Sequence, residues 1–213
     1  MVYRLKIRKK EEKNQRILEM YEKAIKELKD FYELDWNKNC PIIYLLETRQ
    51  DFDMITGQQN PDWIIGKAIS FNKVALIAPE SFDEESSHEY SDEEFFFLVK
   101  HELSHLFYLA LTNGKGPVWF EEGFAVYTSG ELKIMEKPSE FTKFLKYEER
   151  IDDEIYKEVG FVIDCLIDRC SKKRVLQFLD IIKNKDNSGF KKEFQEYFKM
   201  EMTYPEFNKL LRN

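Results

Sequence analysis

The sequence predicts an α+β chain, and two observations carry that prediction. Between about residues 40 and 80, short apolar runs of strand length are separated by turn residues, while the segments on either side repeat their apolar residues at helical spacing. Strands and helices are therefore gathered into separate stretches and do not alternate as a doubly wound sheet requires.

The elements follow in order. From about residue 10 to 34, Ile17, Met20, Tyr21, Ala24, Ile25, Leu28, Phe31 and Tyr32 recur at helical spacing among charged residues, which predicts an amphipathic helix. "CPIIYLLETRQ" reads as a strand starting after Pro41, and "RQDFDMITGQQNPDW" as a short helix ended by Gly57, then a turn at Asn60-Pro61. Two strand-like runs, Trp63 to Phe71 and Val74 to Ala78, meet at Asn72-Lys73 with the spacing of a hairpin. The acidic stretch "ESFDEESSHEYSDEE" reads as a loop, in which the lone His88 is a solvated residue. Ser91 with Glu94 three residues on forms a capping box, predicting a helix from about 92 to 112 that stops at Asn113-Gly114. Within it Phe95 to Phe97 read as core packing. A second helix starts near Val118 and fades by Gly130. From about 139 onward everything reads as helix: "SEFTKFLKYEE", "DEIYKEVGFVIDCLIDRC", "KKRVLQFLDIIKN", "FKKEFQEYF" and "YPEFNKLL".

Length and composition narrow the function classes. The 213 residues suit a single domain over 1–213, comprising a helical lead-in (1–38), a small β region (40–80), a helix pair (91–130) and C-terminal helices (139–213). A net charge of −7 argues against a general nucleic-acid binder, which needs a basic surface. The basic "YRLKIRKK" reads as a solvated lead-in to the first helix. No apolar run approaches the roughly 18 residues of a membrane span, and no secretory leader follows the basic start. The expectation is a cytoplasmic protein with no membrane partner. Cys40, Cys165 and Cys170, odd in number and without CxxC spacing, suit a reducing compartment.

The chemistry sits in "VKHELSHLFYLALTNGKGPVWFEEGFAVYT", residues 99 to 128. Helical residues four apart differ by about 40° in direction and about 6 Å in height, so the imidazoles of His101 and His105 face the same way and can share one metal ion. Neutral imidazoles suit zinc. Glu102 is placed to reach a metal-bound water rather than the metal, as a general base. The extended motif HExxHxxGxxH is absent, because its glycine and third histidine positions hold Tyr108 and Leu111. A third ligand must come from elsewhere, and Glu121 and Glu122 on the next helix both offer a carboxylate. Periodicity alone does not choose between them. "NGKGP" can turn the second helix back on the first, with Gly123 letting the two approach closely.

"HELSH" followed by "WFEEGFAVY" resembles the gluzincin zinc metallopeptidases, including their peptidase MA-like members, in which HExxH precedes a Trp-containing segment ending in Glu-Gly. The likeness extends over about residues 40 to 205, with its specific part in the motif. It implies a zincin-like fold: a small, mostly antiparallel sheet packed on an active-site helix, followed by a helical C-terminal part. It selects Glu122, just before Gly123, as the third ligand beside His101 and His105, holding one Zn2+, and it assigns Glu102 as the base. Family members often stabilise the oxyanion with a tyrosine, for which Tyr156 is the first choice here and Tyr127 the second. Where some members carry an aspartate four residues after the third ligand, this chain has Val126. The implied activity is hydrolysis of peptide bonds in a peptide or protein substrate. The substrate is expected to lie along the sheet against "VALIAP" by strand addition, with the acidic loop favouring basic or amine-bearing ends. Two alternatives stand beside it: a catalytically silent binding protein of zincin fold, and a zinc hydrolase of a non-peptide substrate.

Overall fold

A computed structural model of the chain describes residues 11–146, 153–185 and 187–211. The basic "YRLKIRKK" lies outside the described residues. The chain divides into two compact units, Met1–Leu106 and Phe107–Asn213.

The first unit opens with α1 (Glu11–Tyr32), whose buried stripe is Ala24, Leu28 and Tyr32, one helical turn apart. β1 (Ile42–Leu46) follows, then α2 (Arg49–Thr56). The Thr48 hydroxyl accepts from the Asp51 amide to cap α2, and Gly57 ends it in the left-handed region at φ 75°. β2 (Gly66–Ser70) and β3 (Lys73–Ile77) form the expected hairpin, turning at Phe71-Asn72. Trp63 belongs to the preceding turn, closed by the Ile64 amide donating to the Pro61 carbonyl at 3.0 Å. After a 3-10 turn at Pro79–Ser81 and the short α3 (Phe82–Glu85) comes α4 (Asp92–Thr112), in which the division between the units falls.

The sheet corrects two expectations. Its order is β1-β3-β2, with β1 parallel and β2 antiparallel to β3, so it is mixed rather than mostly antiparallel. The reason is the crossover: α2 carries the chain over between β1 and β2, so β1 joins the far side of β3 from the hairpin partner. "VALIAP" is consequently the central strand, with both edges paired. The Ile77 amide donates to Ile65 on one side and the Ala78 amide to Leu46 on the other. Val74 to Ile77 are fully buried. A peptide cannot add to β3, because its backbone donors and acceptors are already taken.

The second unit contains the end of α4, then α5 (Val118–Ser129), α6 (Asp153–Cys170), α7 (Lys172–Ile182), α8 (Phe190–Phe198) and α9 (Tyr204–Leu211). Its core is aromatic: the Trp119 ring lies edge-on to Phe120, Phe144, Phe190, Phe194 and Phe207. Gly123 has a close neighbour that the sequence did not indicate. A Cβ there would lie 2.7 Å from the Val159 carbonyl oxygen and 2.8 Å from Ile163, so this glycine admits α6. Gly160 answers from the other side, against Val126 and Leu132.

The helix expected at "SEFTKFLKYEE" does not form as such. Residues 139–143 are irregular and only Phe144–Lys146 make a 3-10 turn; residues 147–149 lie outside the described residues. The backbone here is held by side chains distant in sequence. The buried Glu158 carboxylate accepts from the amides of Thr142 (2.9 Å), Lys143 (2.9 Å) and Phe144 (3.0 Å), and Asn208 bonds both the amide and the carbonyl of Phe141.

Candidate metal and catalytic site

α4 presents the motif because its start and its rotation are both fixed. The Ser91 hydroxyl accepts from the Glu94 amide at 3.2 Å, the cap that the sequence predicts. On the buried side Ser104 shares a 2.7 Å hydrogen bond with the Tyr32 hydroxyl, and Lys100 donates to Glu27 at 2.5 Å. These two bonds pin α4 to α1 on the residues flanking the histidines. Phe95 and Phe97 are buried, as expected of core residues, while Lys23 lies over the ring of the half-buried Phe96.

His101 is buried and His105 half-buried, with their Nε2 atoms 3.2 Å apart. For zinc–nitrogen distances of about 2.05 Å, tetrahedral ligand atoms are separated by about 3.3 Å. The imidazole pair therefore has the spacing that a shared ion requires. Glu122 on α5 completes the group: one ligand atom each from His101, His105 and Glu122 lie within 4.8 Å of one another. Two imidazole nitrogens and a carboxylate oxygen are a donor set that can hold a metal ion. Glu121 is half-buried like its neighbour but is not in that group, so the carboxylate beside Gly123 is the one brought to the histidines.

Glu102 is buried, at 7% exposure. Its side chain lies against the start of β2, where a Cβ on Gly66 would come within 2.8 Å of its Cγ and Oε1. The sequence reading passed over Gly66. The available signal was a glycine inside a strand-like run, which often marks close approach by another group.

Other residues singled out in the sequence have the following contacts. Tyr156 donates from its hydroxyl to Glu131 at 3.1 Å. The Tyr127 hydroxyl has its pKa raised, mainly by burial and further by the carboxylates of Asp164 and Asp168; its surroundings are those of α6. Tyr108, at the position of the absent metzincin glycine, is buried and donates to the Lys115 carbonyl at 2.8 Å, holding the "NGKGP" turn. His88 is exposed, with Nε2 3.0 Å from the Trp63 carbonyl. Among the described residues, no helix is long and apolar enough to cross a membrane.

No protein-family model, curated protein or solved structure matches this chain.

Proposed function

We propose that this chain is a zinc-dependent peptidase of gluzincin type. The observation that carries the reading is the His101, His105 and Glu122 group with a buried carboxylate, Glu102, on the same helix as the two histidines. A structural zinc site closes all four positions with protein ligands, whereas this group, among the described residues, has three. The sequence likeness to gluzincins agrees with this donor set.

Zinc, when bound, supplies a Lewis acid that polarises the scissile carbonyl and makes an attacking water acidic enough to lose a proton near neutral pH. The work of the chain is then proton management. Glu102 takes a proton from the water as its oxygen bonds to the carbonyl carbon. It returns that proton to the leaving nitrogen as the carbon–nitrogen bond breaks, giving a carboxylic acid and an amine. His101, His105 and Glu122 hold the ion. The substrate backbone adds to the outer edge of β2. No described strand pairs with that edge, and β2 is the strand that meets Glu102.

Metal analysis of the purified chain should find about one zinc per molecule. Glu102→Gln should keep that zinc and lose peptide hydrolysis by about 10²–10⁴-fold, the usual contribution of a general base; Glu122→Ala should lose the zinc. Unchanged hydrolysis in Glu102→Gln would rule out the mechanism. Zinc retained by a chain that cleaves no peptide in a library digest would favour a silent binding protein.

A further inference from the structure

We propose, building on the peptidase reading, that Gly66 is a positioning residue for Glu102. The missing side chain at the start of β2 lets the Glu102 carboxylate stand where it exchanges its proton.

A Cβ on Gly66 would lie 2.8 Å from both Cγ and Oε1 of Glu102 and 2.9 Å from Cδ1 of Leu98. Carbon atoms do not pack that closely, so any other residue must displace what is there. The backbone itself does not ask for glycine. The glycines of positive φ are Gly57, Gly114, Gly116 and Gly130, and Gly66 is not among them. Glycine also costs more conformational entropy to order than any other residue and packs no side chain. Its use at this position is therefore the space it leaves.

The type of neighbour decides what a larger residue would do. At Gly123 the obstacle is the Val159 carbonyl, fixed backbone, so a side chain there would push α5 and α6 apart. At Gly66 the obstacles are the side chains of Glu102 and Leu98, which can rotate. Alanine at position 66 is therefore absorbed by moving the carboxylate rather than by unfolding the strand. Moving a reacting group by about 1 Å costs on the order of 10²-fold in rate.

The test is Gly66→Ala in the full chain with one equivalent of zinc, assayed on a peptide that the parent cleaves. The expected result is a kcat lower by about 10–100-fold, with KM, zinc content and melting temperature near those of the parent. Added to Glu102→Gln, the same substitution should produce no further loss. Crystal structures of parent and variant should show the Glu102 carboxylate displaced, a readout that does not depend on turnover. An undisplaced Glu102, an unchanged kcat or a rise in KM alone overturns the proposal. Should Gly66→Ala fold poorly, Gly66→Ala with Leu98→Ala removes the second contact. Persistence of the kcat loss in that double variant supports the proposal, and full recovery overturns it. A parent that cleaves nothing defeats the peptidase reading, whereas a Glu102 that stays in place in the variant defeats this one.

Discussion

Cys165 and Cys40 differ in the chemistry their surroundings permit. Burial pushes the Cys165 thiol up to about 11; Lys137 opposes that rise, and the carboxylates of Asp164 and Asp168 add to it. The thiolate is the reactive species, so at pH 8 only about one Cys165 in a thousand carries it. Cys40 is exposed. Iodoacetamide followed by peptide mass mapping should modify Cys40 first and Cys165 only after denaturation; equal rates would contradict this burial. At the same scale, the site divides by how local its signals are. His101, Glu102 and His105 are legible because a helix turns four-residue spacing into one direction. Choosing Glu122 over Glu121 needed a likeness to known proteins, since both carboxylates fit the periodicity. Gly66 could not be paired with Glu102 from sequence, because their contact joins a strand to a helix with β3 and α3 between them in the chain.

Helix ends were readable where a single side chain or a glycine makes them. Ser91, Gly57 and Asn113-Gly114 each mark a boundary that the structure keeps. The segment 139–146 misled because Phe141, Phe144 and Leu145 imitate a helical face while the amides between them are claimed from elsewhere. Glu158 is what claims most of them, and it gives a prediction at this scale. Glu158→Gln keeps the shape but turns an amide donor toward backbone donors. It should destabilise the chain by about 2–3 kcal/mol, a fall in melting temperature of roughly 5–10 °C for a chain of this size. Thermal unfolding followed by circular dichroism measures it; an unchanged midpoint would mean that these bonds contribute nothing net. The pairing of β1 was likewise hidden, since a hairpin is local and a parallel partner is not.

For the molecule as a whole, an ion that binds only the folded chain adds stability by mass action, about 2.7 kcal/mol at a free concentration one hundred times Kd. Zinc should therefore raise the melting temperature of the chelator-stripped chain by roughly 5–10 °C, and Glu122→Ala should show no such rise. A parent indifferent to both zinc and chelator would remove the metal from the account. The sheet carries a further consequence, for which changes in chain length are tolerated. Gly66 faces Leu76 across the ladder, and the irregularity between Ala68 and Ser70 fixes that alignment against a strand paired on both sides. Strand faces alternate with every residue. A single residue gained or lost in this arm of the hairpin would bring Ile65 or Lys67 to the place of the glycine. The residues of β2 after Gly66 carry no such constraint from Glu102, but the length of the strand is held by the helix beneath it.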